Sequence, residues 1–223
     1  AMEVLRVENV FAGFGNKAVL KDVNLSVNRG EFILIKGKNG SGKSTLVRVI
    51  GGILKPFRGK IFLKGKDITS SEPWKRVNMG ISVLLQGGRV FPYLTVREHF
   101  KLLGKNEKEF IEKASEIFPF IKKFLDVRAG VLSGGQRSML SLALTLLRNP
   151  EVLILDEPLA GLDKNNVDNV VETLHSLKSE GKSILAIEHR EEIQSVADRV
   201  FILKEGKLFE EEIRESVHEE VLV

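Results

Sequence analysis

The sequence predicts an α/β fold with a mixed, mostly parallel sheet at its core, an antiparallel β region at the N-terminal end and a helical segment inserted into the sheet. Three observations carry that reading. Apolar runs at Phe32 to Lys36, Ile81 to Leu85, Val152 to Leu155 and Ser183 to Ile187 alternate with stretches of helical periodicity, the pattern of a parallel sheet covered on both faces. The run Gly37-Lys38-Asn39-Gly40-Ser41-Gly42-Lys43-Ser44 lies between the first strand and a helix. It fits G-x-x-x-x-G-K-[ST] at every specified position, a match expected by chance in roughly one per cent of chains this long. Between about Gly88 and Gly130 the strand pattern gives way to helices.

Taken in order, Leu5 to Val27 reads as short β-rich pieces, such as Val23 to Val27, punctuated by Ala12-Gly13-Phe14-Gly15-Asn16 and followed by Asn28-Arg29-Gly30. These form an antiparallel start. The helix from Lys43 to Ile50 stops near Gly51-Gly52, and Ile61 to Ile68 reads as a hairpin. Thr95-Val96-Arg97-Glu98 is a capping box that opens a helix toward Leu103, and Lys108 to Phe118 is a second helix. A long helix follows Ser133 and stops at Asn149-Pro150; another spans Asn165 to Ser179 and closes at Gly181. Arg199 to Leu203 and Lys207 to Phe209, joined by Glu205-Gly206, read as a closing hairpin before a charged C-terminal helix. The 223 residues are therefore expected to form one domain, with its core in 1–87 and 131–223 and a helical subdomain in 88–130.

Composition excludes some classes of function. The formal charge is +4, but the 34 basic and 30 acidic residues are interleaved, so no nucleic-acid partner is expected. With no cysteine, a disulfide framework and a thiolate metal site are both ruled out. The longest uncharged stretches, Gly80 to Gly88 and Ser138 to Leu147, fall far short of the ~18 to 20 apolar residues that cross a bilayer. The N-terminus lacks the charged start and apolar run of a secretory signal. A cytoplasmic location is expected.

The glycine loop carries the clearest chemistry. Gly37, Gly40 and Gly42 let backbone N–H groups crowd around phosphate oxygens. Lys43 neutralises β and γ phosphates, Ser44 can ligate Mg²⁺, and the helix that continues through Thr45 adds its positive end. Asp156 and Glu157 follow four apolar residues, so both carboxylates stand at the C-terminal edge of the sheet, where open α/β sheets bind ligands. With a phosphate loop upstream, Asp156 suits Mg²⁺ and Glu157 suits polarising an attacking water. Leu132-Ser133-Gly134-Gly135-Gln136 reads as a helix cap, since Ser133 and Gln136 have capping-box spacing. Its two glycines also leave N–H groups bare for an anion.

With these motifs in this order, the chain resembles the nucleotide-binding subunits of ATP-binding cassette (ABC) transporters, whose signature is Leu-Ser-Gly-Gly-Gln. The resemblance covers nearly the whole chain and implies a P-loop NTPase fold. It also implies a head-to-tail dimer, with itself or a paralogue, in which two ATP molecules are each held between one chain's Gly37 to Thr45 and the other's Ser133, Gly134, Gly135 and Gln136. Gln86 matches the lid-loop glutamine that senses Mg²⁺ and the lytic water, although alone a strand-end glutamine is an ordinary polar cap. Asp163, in Ala160-Gly161-Leu162-Asp163, matches the fixed acid of the loop that crosses the dimer interface. His189 matches the switch histidine at the γ-phosphate, and Phe14 the aromatic on which adenine stacks, with Phe11 close enough to compete or to be core. Two departures stand out: Arg190 replaces an aspartate that many relatives have, and Arg137-Ser138-Met139 replaces a more basic stretch.

The expected activity is hydrolysis of ATP to ADP and phosphate, with Glu157, His189, Gln86 and Lys43 catalytic and Ser44, Gln86 and Asp156 serving the metal. The resemblance further implies a separate transmembrane permease subunit, which would hold the chain against the inner face of the cell membrane. Ile187-Glu188-His189 and Phe91-Pro92-Tyr93-Leu94-Thr95-Val96 resemble the branched-chain amino acid uptake group. The competing readings are a soluble cassette acting on DNA, ribosomes or iron–sulfur assembly, and a nucleotide sensor without turnover.

Overall fold

The computed structural model describes residues 2–212. The charged C-terminal helix expected from the sequence lies outside them. The chain begins with β1 (Glu3–Phe14), β2 (Lys17–Asn28), β3 (Phe32–Lys36), α1 (Lys43–Gly51), β4 (Arg58–Leu63), β5 (Lys66–Asp67), α2 (Pro73–Asn78) and β6 (Ile81–Leu84). The helices α3 (Val96–Lys101), α4 (Glu107–Ile117), α5 (Phe120–Lys123) and α6 (Gly134–Leu147) follow. It continues with β7 (Val152–Asp156), α7 (Lys164–Ser179), β8 (Ser183–Ile187), β9 (Arg199–Lys204) and β10 (Lys207–Glu211).

Two sheets result. An antiparallel one has the order β2-β1-β4-β5, and a mixed one the order β10-β9-β3-β8-β7-β6, in which only the β9–β10 pairing is antiparallel. After β3 the chain crosses to the far edge at β6, returns through β7 and β8, then passes to the other side of β3 as β9. The strand order thus reverses at β3, which opens a crevice beyond its carboxyl end. Alternate residues of each central strand serve different cores: Phe32, Leu34, Leu153, Leu155, Ile184 and Ala186 face one, while Ile33, Ile35, Val152, Ile154, Leu185 and Ile187 face the other. That two-sided burial explains why these strands read as unbroken apolar runs.

One core holds α1 between the two sheets, with Leu46, Val47, Val49 and Ile50 wholly buried. The other core is shared by α6, α7 and the inserted helices, through Leu140, Val170, Phe100, Ile111 and Phe118 among others. Asn169 Nδ2 also donates to the Ile117 carbonyl at 3.0 Å.

The N-terminal region differs from its sequence reading. Instead of short pieces broken at Ala12 to Asn16, β1 and β2 are each 12 residues long and turn at Gly15-Asn16. Four register irregularities let the long ribbon curve. Gly13 lies within β1 because its hairpin partner approaches so closely that any Cβ there would collide with the Lys17 carbonyl. Neither α2 nor α5 is announced by periodicity, since each is too short to show it.

Arg76 on α2 is 2% exposed. Its guanidinium donates to the carbonyls of Val49 (2.9 Å), Ile50 (2.8 Å), Ser71 (3.0 Å) and Thr69 (3.0 Å). Burial pushes its pKa down. The charge of Asp67 opposes that shift, and two of the four carbonyls stand at the C-terminal end of α1, where the helix dipole favours a cation. Gly52 makes the contact possible, because a Cβ there would come within 2.7 Å of Arg76 Nε. Arg76→Met is therefore expected to destabilise the fold by about 3 kcal/mol, leaving buried carbonyls without donors. Urea unfolding would register this as a lowered midpoint with an unchanged slope; an unmoved midpoint would refute it.

Candidate active site

A cleft of about 470 Å³ opens at the carboxyl ends of the parallel strands, lined by Phe14, Val19, Asn39, Gly40, Gly42, Lys43, Ser44, Thr45, Gln86, Asp156 and Glu157. Its floor is the loop from β3 to α1. Gly42 caps α1 in the left-handed conformation, φ +103°, and its missing side chain lets Val19 and Leu20 approach. Gly37 is equally constrained, since a Cβ there would lie 2.7 Å from both the Leu203 carbonyl and Ser41 Oγ. Ser41 Oγ is buried and has no hydrogen-bond partner among the described residues. Lys43 folds back over the loop and donates from Nζ to the Gly37 carbonyl.

Asp156, the last residue of β7, is 3% exposed and accepts a hydrogen bond from Ser44 Oγ at 3.0 Å. Burial is the main force raising its carboxyl pKa; the neighbouring Glu157 raises it further, while the Ser44 hydroxyl and Lys43 oppose. Glu157 then turns the chain sharply in the left-handed region, φ +49°, a conformation a side-chain-bearing residue rarely adopts. Its N–H donates to the Ile187 carbonyl at 2.7 Å, which fixes the ends of β7 and β8 together.

Around the Glu157 carboxylate three other segments converge. Gln86 Nε2 donates to Oε2 at 3.5 Å, and Lys43 Nζ and His189 Nδ1 each stand 4.0 Å from Oε1. The His189 side chain is 67% exposed, whereas that of Glu157 is 15% exposed. Phe14 is 52% exposed at the cleft wall and is not part of the buried core.

Other predicted residues stand apart. Lys38 is exposed and does not line the cleft. Ser133, Gly134, Gly135 and Gln136 do not line it either. Ser133 and Gln136 form a reciprocal capping box at the start of α6, at 3.0 and 3.1 Å, and both glycines are exposed. Asp163 caps α7, accepting from the Asn166 N–H at 2.8 Å.

Sequence reasoning missed how the loop after Gln86 is fastened. Ser138 Oγ donates to the Gly87 carbonyl and Ser141 Oγ accepts from the Arg89 N–H, both at 2.9 Å. A Cβ on Gly88 would fall 2.5 Å from Ser141 Cβ. The only available signal was a pair of small residues three apart on α6, too common to single out. Glu188 and Arg190 were also missed as contacts of the turn after Glu157; a charge beside a proposed switch histidine was the clue.

The family model described as "ABC transporter" matches residues 20–160. The chain belongs to the ABC transporter family. It is 35% identical to a "Probable branched-chain amino acid transport ATP-binding protein LivG" of Methanocaldococcus jannaschii, over 94% of this chain and 90% of that one. A "Putative hemin import ATP-binding protein HrtA" of Staphylococcus haemolyticus is 34% identical, over 92% and 98% of the two chains. Among solved structures, a dimeric post-hydrolysis ATP-binding cassette bound to ADP and Pi superposes with a TM-score of 0.81 at 26% identity, covering 95% of this chain and 99% of that one. This ABC cassette is an ATP-binding and ATP-hydrolysing subunit of a transporter. No helix among the described residues is long and apolar enough to cross a membrane.

The raised pKa of Asp156 has a consequence for stability. The folded state holds this proton more tightly than the unfolded chain, so the ionised carboxylate destabilises the fold at pH values above its folded pKa, and the penalty fades as pH falls through that value. Asp156→Asn is expected to raise the thermal midpoint of the nucleotide-free protein at pH 7.5, with the gain shrinking toward pH 4. Equal midpoints at pH 7.5 would contradict this.

Proposed function

We propose that two such chains, identical or paralogous, close head to tail around two ATP molecules and that their hydrolysis drives a separate membrane subunit. The convergence of Gln86, Lys43 and His189 on the Glu157 carboxylate carries this reading. A carboxylate in that setting can accept a proton from an attacking water while Gln86 orients it. Lys43, on leaving the Gly37 carbonyl, neutralises charge on the β and γ phosphates, and His189 is exposed enough to swing onto the γ-phosphate. The unpartnered Ser41 hydroxyl and the loop N–H groups receive further phosphate oxygens.

Mg²⁺ suits the donors present. Ser44 Oγ and Asp156 Oδ2, 3.0 Å apart, are hard oxygen ligands, and a cation would relieve the buried charge of Asp156. No group of three or more His, Cys, Asp or Glu is clustered for a metal among the described residues, so phosphate and water would complete the shell. When bound, the ion offsets negative charge on the phosphates.

A second chain is needed because Ser133, Gly134, Gly135 and Gln136, at the start of α6, do not line the cleft of their own chain. Gly134 and Gly135 offer bare N–H groups to the partner's ATP, and Phe14 offers its exposed ring to adenine. A groove of about 940 Å³ bordered by Gln86, Arg89, Val90, Pro92, Gly130 and Arg137 is the proposed seat for the membrane subunit. Phe91 (62% exposed), Tyr93 (84%) and Val131 (77%), neighbours of these residues in sequence, supply apolar surface there. This seat puts the cassette on the inner face of the membrane. The chain is about equally similar to relatives named for branched-chain amino acids and for hemin, so the choice of cargo is assigned to the membrane partner.

Glu157→Gln is expected to bind ATP as the wild type does, lose turnover by about 100-fold or more, and accumulate as a dimer with Mg-ATP. Gel filtration of that variant showing monomer alone would overturn the two-chain reading.

A further inference from the structure

The turn between Glu157 and α7 is held from the side by Glu188 and Arg190, which flank His189 just after β8. Glu188 has a fully buried carboxylate, 0% exposed. Its Oε1 accepts from the Leu159 N–H at 2.8 Å, and its Oε2 accepts from the N–H groups of His189 at 2.9 Å and Arg190 at 3.3 Å. The same Oε2 is 3.4 Å from His189 Nδ1. Arg190 completes the grip by donating from Nη1 to the carbonyls of Leu162 at 2.8 Å and Leu159 at 3.3 Å. Leu159 and Leu162 are buried, while Ala160 and Gly161 between them are exposed.

The chemistry of each group fits the task. A buried carboxylate is tolerated only when its oxygens are satisfied, and here three backbone N–H groups satisfy it. One nitrogen of the planar guanidinium, Nη1, donates to both carbonyls while Nη2 pairs with Glu192, and the plane fixes their relative direction in a way that a rotating ammonium does not. The exposed pairing of Arg190 Nη2 with Glu192 at 3.0 Å adds little by comparison. The turn itself begins at Glu157, whose carbonyl accepts from the Ala160 N–H at 3.2 Å.

We propose that Glu188 and Arg190 are positioning residues that join His189, Glu157 and the Leu159–Leu162 turn into one unit and thereby set the hydrolytic geometry. The inference rests on the two-chain reading given above. It separates two properties: ATP binding belongs to the glycine loop and does not need the clamp, whereas turnover does.

The test compares Arg190→Ala, Arg190→Lys and Glu192→Ala in the full chain, measuring kcat and KM for ATP together with the thermal midpoint. Arg190→Ala is expected to lower kcat about tenfold with KM within about twofold, as misplacing a reacting group does. Arg190→Lys should recover only part of the loss, and Glu192→Ala should match the wild type. In the Glu157→Gln background, Arg190→Ala should still form the ATP-bound dimer. A monomeric Glu157→Gln protein overturns the two-chain reading and this inference with it. If the dimer forms but Arg190→Ala turns over like the wild type, or loses kcat, KM and thermal midpoint together, the inference alone is overturned.

Discussion

A helix can offer its bare N-terminal N–H groups to a highly charged ligand only if something else holds the helix in place. In this chain α1 lies between two sheets, with its apolar side chains wholly buried, and its far end is fastened by the Arg76 guanidinium. The glycine loop is therefore anchored at both ends, by β3 in the middle of the mixed sheet and by a helix with nowhere to move. The antiparallel sheet, remote from the chemistry in sequence, forms the second wall of that clamp and also supplies Val19 and Phe14 to the cleft.

The same packing creates an electrostatic imbalance at the strand ends. Asp156 is ionisable yet buried, and Glu157 beside it adds a second negative group under backbone strain. Such an arrangement is unfavourable for an empty protein and favourable for one that receives a cation and a transferring phosphoryl group. Lys43 resting on the Gly37 carbonyl fits this account, since its charge is held near the site without forming a tight ion pair with Glu157, 4.0 Å away. Strain and buried charge meet at this strand end, whereas the buried charges elsewhere, Arg76 and Glu188, are satisfied by backbone carbonyls or N–H groups.

How much of this could be read from the sequence depended on whether a residue's role is set locally. The central strands were legible because burial on both faces leaves only apolar residues, and the caps at Thr95 and Ser133 because capping is a matter of three or four neighbouring positions, whereas the cap at Asp163 was not read. Asp156 and Glu157 were legible because a strand end next to a phosphate loop has few other uses. The long N-terminal strands were not, because Gly13 looks like a turn residue until its partner strand is known to crowd it. Arg76 looked like one more surface cation, and Glu188, Arg190, Ser138 and Ser141 act through contacts dozens of residues away, which no periodicity encodes.

The fastening of the loop after Gln86 to α6 ties two parts of the surface together. Ser138 and Ser141 hold the backbone of Gly87 and Arg89, and Gly88 leaves no gap between loop and helix. Gln86 lines the cleft of its own chain, while Ser133 to Gln136 at the start of α6 lie outside that cleft. With the loop and the helix joined by these contacts, a displacement of one is passed to the other. The cleft and the helix start that lies outside it are therefore mechanically one surface, although Gln86 and Ser133 are 47 positions apart in sequence.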